Sequence, residues 1–371
     1  MWHFGILSIY ILIVVYVYIR FVGLLGKARH KIIFSVLYVT LAMAFPGSEF
    51  LSDFSSAGWT KYFPVIGYYS LPYLLYQFFM ILLFDFFYGV NRLLKIISVE
   101  KIHAPNFRFA RLLIFLIVPL FIVIAGAMHY NSIKVNRYQI NIKKGLSKIN
   151  HLKIAMVSDF HLREQTSRHF MQDFTAKLNA LNPDIVVILG DVLEGDREDE
   201  ARAEYEHQFR QIKSKYGVYA AFGNHEYHRR QNKVAFFQNA NINVLQDSVV
   251  LIDRSFYLIG RDNEHANTRK TIDELLKLTT DNVPIIVLDH RPREYDLVSR
   301  SKVDIELSGH THNGQLFPFN YLATYLYDLN WGYKKIRNTH FFVTSGIQGW
   351  GPPVRTTGDS EIMLIDIDLI K

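Results

Sequence analysis

Ser308-Gly309-His310-Thr311-His312-Asn313-Gly314-Gln315 follows a strand-like run carrying Val303, Ile305 and Leu307. Its two imidazoles alternate across one threonine, with a glycine on either side. At a strand-to-loop turn, side chains two residues apart point in different directions, and glycine lets the backbone approach whatever they hold. Neutral imidazole is the commonest metal ligand among side chains, so one reading is a metal site. The other is a pair of incidental surface histidines, and the stretch alone does not separate the two. The residues around it do.

Reading outward, short apolar runs alternate with helical spacing. Lys153 to Val157 reads as a strand, and Phe170, Phe174, Leu178 and Leu181 recur as one helix face. Ile185 to Leu189 is β-branched and reads as a buried strand. Glu200 to Ser214 reads as a charged helix, Val218 to Phe222 as a strand and Val234 to Ala240 as a helix. Val249 to Ile252 and Phe256 to Ile259 form a hairpin-like pair. A helix at Ile272 to Leu278, a strand at Ile285 to Leu288 and a helix at Arg293 to Arg300 follow. Val303 to Leu307, Phe341 to Thr344 and Ile362 to Ile367 complete the strands. Such alternation predicts an α/β fold with helices covering the sheet faces.

The strand ends carry the chemistry. They read Ser158-Asp159-Phe160-His161, Gly190-Asp191, Gly223-Asn224-His225-Glu226, Asp289-His290 and Gly309-His310-Thr311-His312. Ligand sites in α/β sheets form beyond the carboxyl ends of the strands, so these residues are expected at one edge. Capped turns and satisfied surface histidines are the plainer alternative for any one of them. The number of donors suits two metals, and mixed carboxylate, imidazole and amide oxygen suits Mn²⁺, Fe or Zn²⁺ better than Ca²⁺ or Cu(I). Two ions about 3.5–4 Å apart would clamp an in-line displacement at phosphorus, with a bridging water activated as a metal-bound hydroxide.

These blocks resemble the calcineurin-like metallophosphoesterase superfamily, whose signature runs Asp-x-His, Gly-Asp, Gly-Asn-His-Asp/Glu, His, Gly-His-x-His. The resemblance covers about Ile140 to Leu369. More narrowly the chain is similar to bacterial membrane-associated or exported members, in its Ser-Asp-x-His-Leu, its Gly-His-Thr-His-x-Gly-Gln and its late Ser345-Gly346, Pro352-Pro353-x-Arg355 and Glu361-Ile362. It implies a double β-sandwich flanked by helices, with a dinuclear site. Asp159, His161 and His312 would hold the first of two divalent metal ions, and Asn224, His290 and His310 the second, with Asp191 bridging. His225 would be catalytic, stabilising phosphoryl oxygens or protonating the leaving group when it carries a proton.

Departures from the pattern are Arg163 and Asn313 in place of glycines and Asp289 in place of a small residue. Arg163, Arg291 and Arg355 are candidate substrate contacts, since guanidinium suits phosphate oxygens; a surface or structural role is the alternative for each. The same two readings apply to Tyr227-His228-Arg229-Arg230, whereas His151, His169, His207, His265 and His340 read as ordinary surface or packing residues.

The totals place this domain beside a membrane. Of 371 residues 50% are hydrophobic and 15% aromatic, with a mean hydropathy of +0.07, and the excess sits in the first third. Apolar runs cover Phe4 to Tyr18 (extended by Phe21 to Leu25), Ile32 to Phe45, Phe63 to Val90 and Leu112 to Met128, predicting about four spans. The first lacks a basic start and a clear cleavage site, so it is expected to be retained. Pro64 and Pro72 are expected to make the third irregular, and Asp85 within it to lie near the interface and Arg92. No cysteine is present, which excludes disulfides, zinc fingers and thiol chemistry and leaves the redox compartment open. The net charge of +7 comes with no nucleic-acid-binding signature; basic residues flank the apolar runs instead.

Lys27, Arg29 and Lys31, and then Arg92, Lys95, Lys101, Arg108 and Arg111, mark two connections as cytoplasmic, against Glu49, Asp53 and Lys61 in the loop between them. The C-terminal domain is then expected on the extracytoplasmic side of a bacterial cell membrane, although Lys134, Arg137, Lys143 and Lys144 pull the other way. The expected division is 1–130 transmembrane, 131–150 linker and first strand, and 151–371 phosphoesterase domain. The expected function is a membrane-anchored phosphoesterase acting on a phosphodiester, phosphomonoester or diphosphate, with a lipid-linked or envelope substrate. A non-catalytic metal sensor or scaffold and a regulatory domain of a transporter are the alternatives.

Overall fold

Apolar runs long enough to satisfy their backbone within one helix open the chain. The computed structural model describes residues 2–52, 63–143, 147–163, 166–194, 200–227, 233–266, 268–280 and 282–370. Asp53, Lys61, Lys144 and the run His228-Arg229-Arg230 lie outside the described residues. The first elements are α1 (Trp2–Leu24), α2 (Ala28–Ser52), α3 (Phe63–Leu94), a short α4 (Val99–His103) and α5 (Pro105–Tyr130). Among the described residues four stretches are long and apolar enough to cross a membrane: Leu7–Leu24, Ala28–Ser48, Pro64–Leu94 and Pro105–Tyr130. Val17, Phe21, Tyr38, Leu74, Ile81 and Phe115 pack between these helices, while Leu12, Leu37, Phe86 and Phe121 point outward as a lipid-facing surface requires.

Two expectations need correction here. α3 runs unbroken: Pro64 occupies its first turn, where a missing N–H costs nothing, and Pro72 is accommodated inside it. Asp85 does not turn to Arg92, which lies about 10 Å further along the same helix axis. It accepts a 2.7 Å hydrogen bond from Arg20 Nε and another from the Tyr16 hydroxyl, both on α1. A carboxylate and a guanidinium that each interrupt an apolar run satisfy one another.

The second unit comprises His129–Trp350 and Arg355–Lys371. It contains β1 (Ile133–Lys143), β2 (His151–Val157), α6 (Arg168–Ala180), β3 (Ile185–Ile188), α7 (Glu200–Arg210), β4 (Val218–Ala220), α8 (Lys233–Asn239) and β5 (Asn243–Val244). There follow β6 (Ser248–Ile252), β7 (Phe256–Gly260), α9 (Ile272–Leu276), β8 (Ile285–Leu288), α10 (Tyr295–Ser299) and β9 (Ile305–Ser308). A 3₁₀ turn at His312–Gly314, α11 (Phe319–Leu326), β10 (Gly332–Ile336), β11 (Thr339–Val343) and β12 (Ser360–Ile370) complete it.

The strands form two six-stranded sheets, ordered β1-β12-β2-β3-β4-β5 and β10-β11-β9-β8-β7-β6. Their inner faces pack together through Ile154, Met156, Val187 and Leu189 on one side and Leu258, Ile286, Leu288 and Leu307 on the other. α6, α7 and α8 cover the outer face of the first sheet, burying Phe170, Phe174, Phe209 and Phe236. α9 and α10 cover the second with Leu275, Leu276 and Val298. β3 is buried at all four positions, as its β-branched sequence requires when both faces are covered. β1 lies within the expected 131–150 linker and first strand and pairs in parallel with the whole of β12. β2, β3 and β4 run parallel in one sheet, and β8 and β9 in the other.

Candidate metal centre

β2, β3 and β9 turn sharply where they end at this edge, and the turning residues are chemical ones. Asp159, His161, Asp191, His310 and His312 have φ of 56°, 43°, 52°, 72° and 51°. That left-handed region is sparsely populated by residues other than glycine and costs on the order of 1–3 kcal/mol per position, so the surroundings must enforce it. Backbone bonds from the β2 loop to the β3 loop help do so: Asp159 N donates to Gly190 O at 3.0 Å and His161 N to Asp191 O at 3.0 Å. The Glu226 carboxylate accepts from the backbone N–H of Gly223, Asp191 and Val192 at 2.7, 2.8 and 2.8 Å, tying the β3 and β4 loops together. Gly223 and Gly309 are required by close approach. A Cβ at the first would stand 2.1 Å from Asp191 Oδ1, and at the second 2.6 Å from Asp159 Oδ2.

Those turns collect three overlapping donor sets, in each of which the donor atoms lie within 4.8 Å of one another: Asp159, His161 and His312; His161, Asp191 and His225; Asp191, His290 and His310. His161 Nε2 is 4.0 Å from Asp159 Oδ1 and 3.8 Å from Asp191 Oδ2, and His312 Nε2 is 3.7 Å from Asp159 Oδ1. His290 Nε2 lies 3.3 Å from Asp191 Oδ2, 3.2 Å from Asn224 Oδ1 and 3.2 Å from His310 Nδ1. Ligands about 2.1 Å from a shared tetrahedral ion stand about 3.4 Å apart, so these spacings suit ion coordination. Asp159 Oδ1, His161 Nε2 and His312 Nδ1 are buried with no hydrogen-bond partner. An orphaned buried polar atom costs about 1–3 kcal/mol, and a cation between Asp159 and His161 would satisfy both at once. The residues present fit divalent metals.

The electrostatics are divided in the same way. Burial opposes ionisation of Asp191, but His290, followed by His161 and His225, outweighs it and holds the carboxyl well below its usual range. Burial likewise disfavours the charged form of His290, yet Asp191 pushes that imidazole up to about 10. Asp159 is raised, by burial first and the Asp191 charge after. His310 and His312 are held well below the ordinary histidine value, chiefly by burial, with His290 and His161 respectively adding to it. Neutral imidazole is the ligating form.

His225 sits at the edge of the set with 16% of its side chain exposed. Its backbone N–H donates to Asp191 Oδ1 at 2.8 Å, and its Nδ1 lies 3.2 Å from Glu194 Oε2. Burial works against its proton, but the Glu194 hydrogen bond and the Asp191 charge raise its pKa on balance. Glu194 is absent from the expected site residues. It also lies 2.7 Å from His161 Nδ1, which fixes that ring with Nε2 turned into the site, and the two histidines depress its own pKa against the burial that would raise it. Its position three residues past Asp191 is the only trace in the sequence; a bridge between Leu162 and Leu193 is what lays it beside His161. Glu226 stands in the Asn-His-Glu block, and its three-way backbone role has no sequence signature.

The three arginines separate. Arg355 is a correction: it is wholly buried, and its Nη2 donates to the carbonyls of Ser345 (2.9 Å) and Gln348 and its Nη1 to His312 O at 3.3 Å. Five donors in a rigid fork hold carbonyls as readily as phosphate, and this fork braces the His312 loop. Arg291 Nη1 pairs with Glu264 at 3.0 Å, as Arg293 does at 3.1 Å, and their charges contribute to the depression of His310. Arg163 follows Leu162 and is half-buried, its carbonyl accepting from the Tyr205 hydroxyl at 2.5 Å. Of the departures, Asn313 has φ 49° and ψ 37°, a conformation asparagine tolerates in place of glycine. Asp289 is buried between Arg261, at 3.0 Å, and Arg269.

Residues 152–314 match the family model described as calcineurin-like phosphoesterase. An uncharacterised metallophosphoesterase of Campylobacter jejuni is 30% identical over 98% of this chain and 97% of its own length. A transmembrane protein with metallophosphoesterase domain from Danio rerio is 30% identical over 76% of this chain and 69% of its own length. An uncharacterised metallophosphoesterase of Helicobacter pylori is 33% identical over 57% of this chain and 58% of its own.

Proposed function

Because the chain belongs to the calcineurin-like phosphoesterase family and is a membrane protein with a phosphoric ester hydrolase domain, we propose that it works with two divalent ions on a membrane-associated phosphoester. The observation that carries the two-ion reading is Asp191, whose carboxylate belongs to donor sets on both sides of it. Asp159, His161 and His312 would hold one ion and Asn224, His290 and His310 the other, with Asp191 shared between them. Mn²⁺, Fe and Zn²⁺ suit this mixture of oxygen and imidazole donors. Such ions, when bound, supply Lewis acidity to phosphoryl oxygens and acidify water.

The chain's own residues do the rest. His225, with its Nδ1 toward Glu194 and a raised pKa, is placed to hold a proton beside the site and give it to a departing alkoxide. Glu194 orients both His225 and His161. Arg163 and Arg291 are cations for phosphate oxygens, Arg291 being able to exchange Glu264 for a substrate. A phosphodiester, phosphomonoester or diphosphate fits this chemistry. The apolar spans favour a lipid-linked or envelope substrate, and the basic loops around Arg29 and Arg108 favour the extracytoplasmic face of a bacterial membrane.

The test is turnover of a soluble aryl phosphodiester by the full chain in detergent. Chelated protein is expected to be silent and to regain activity with Mn²⁺, Fe²⁺ or Zn²⁺, and Asp191→Ala to stay silent in all three. Turnover that survives chelation would sink the metal mechanism.

A further inference from the structure

The loop that carries His310 and His312 leads directly into a surface that a water-facing domain does not need. Between Phe317 and Tyr327 the sequence is Phe-Pro-Phe-Asn-Tyr-Leu-Ala-Thr-Tyr-Leu-Tyr, without one charged residue. Of α11 only Ala323 is buried. Tyr321, Leu322, Tyr325 and Leu326 are 67%, 52%, 87% and 63% exposed, with Phe317 and Phe319 beside them. Scattered exposed apolar residues are ordinary; a whole helix of them beside a site marks an interaction surface.

We propose that α11 and its flanking residues dock on the surface of a lipid bilayer. Three observations select that partner. The surface is built of Tyr, Phe and Leu and continues into Trp331 and Tyr333, then into the exposed Lys334 and Lys335. Amphipathic aromatic rings next to lysines are what the headgroup boundary of an anionic membrane takes up. The uncharged run can enter that boundary without burying an ion. And the last span ends at Tyr130 while β1 starts at Ile133, so Asn131 and Ser132 are the whole tether. Extended, two residues reach about 7 Å, so a lipid surface is always within reach of the domain at high effective concentration.

The surface is tied to the metal loop. Thr311 Oγ1 donates to Asn330 O at 2.5 Å, Asn330 Nδ2 donates to Asn313 Oδ1 at 2.8 Å, and the Tyr327 ring lies 6.3 Å from that of His310. A cavity of about 410 Å³ opens there, lined by Arg293, Glu294, Leu326 and Tyr327 among others. Docking would hold His310 and this cavity at headgroup level, where a phosphoester lipid presents its phosphate. That substrate class rests on the phosphoesterase reading above; the docking itself does not.

The chain's lack of cysteine allows the test on the full protein in vesicles of mixed neutral and anionic phospholipid. Tyr325→Cys, at the most exposed position of α11, and Gln172→Cys, exposed on α6 over the opposite sheet, each take a polarity-sensitive fluorophore. The Tyr325→Cys label is expected to shift to the blue and to lose most of its emission to a quencher carried in the lipid headgroup region, with the Gln172→Cys label unchanged. Equal, water-like emission at both positions overturns the proposal. So does a blue shift that the lipid quencher leaves untouched and that dilution of the protein in the vesicles abolishes, which would make the partner a second copy. In parallel, Leu322→Ser/Tyr325→Ser is expected to keep wild-type turnover of the soluble aryl phosphodiester and to lose about tenfold or more on a phosphoester lipid. If neither substrate turns over, the phosphoesterase reading fails while the label still decides the docking.

Discussion

The two sheets contribute different chemistry to one centre. The first sheet, through the ends of β2, β3 and β4, supplies Asp159, Asp191 and Asn224, every oxygen donor of the expected ligand set, along with His161 and His225. The second, through β8 and β9, supplies His290, His310 and His312, imidazoles alone. Oxygen from one side and nitrogen from the other means that the negative charge of the site is concentrated on one sheet. Asp191 and His290 face each other across that division at 3.3 Å, the imidazole drawing the carboxyl pKa down and the carboxylate pushing the imidazole's up. Substitution of the first sheet's carboxylates, Asp159 and Asp191, should therefore change the charge that retains ions, and ligand substitutions in the second sheet should change the number of ligands without changing that negative charge.

The largest expected effect is that of Asp191→Ala. It removes the shared carboxylate, so bound metal measured by plasma mass spectrometry should approach zero and turnover should fall by about a thousandfold or more. His310→Ala should instead leave about one ion per chain, held by the Asp159, His161 and His312 set. Equal metal loss in the two variants would break the comparison. His225→Gln should retain its metal and lose about a hundred- to ten-thousandfold in rate on an alkyl phosphodiester, with a smaller loss when the leaving group is a nitrophenol that needs no proton. Glu194→Gln should weaken metal binding by about 10–100-fold by releasing His161, and saturating metal should restore only part of its rate, because His225 loses its partner as well.

The smallest effect concerns stability. Glu306 on β9 is buried with neither carboxylate oxygen hydrogen-bonded, and burial first, then the Asp289 charge, raises its pKa well above normal. The folded state therefore favours the protonated acid. Its stability is fully present below the unfolded carboxyl value of about 4.3 and is lost as pH rises toward the folded value. Glu306→Gln cannot ionise, so it should raise the melting temperature at pH 7–8, by the equivalent of about 1–3 kcal/mol, with little gain at pH 4. A variant no more stable than wild type at pH 8 would show that Glu306 is stably ionised in place.

What the sequence made legible was the strand ends, because an apolar run followed by Gly, Asp, Asn or His reads locally. Ile185–Ile188 and Ile285–Leu288 could be placed within a residue. What it concealed depended on tertiary contact. Glu194 acquires its role only when the β2 and β3 loops lie side by side. α11 spans only eight residues, two turns, too short a run for helical spacing to stand out among its apolar neighbours. β10 escaped because an edge strand carrying Lys334 and Lys335 shows no apolar alternation. Arg355 resembled a phosphate contact by its residue type, and burial alone reveals that its partners are carbonyls.

The strand order β1-β12-β2 sets the timing of biogenesis. The strand nearest the last span and the strand that opens the metal centre are separated by one synthesised more than two hundred residues later than either. The first sheet therefore cannot close while the ribosome is still making the domain. Helices α1 to α5 can be integrated into the bilayer long before Ser360–Ile370 emerges, and the long-range closure that follows is the slow kind. Through that interval β1 has an unpaired edge, the kind of transiently open strand that favours wrong pairings until Ser360–Ile370 arrives.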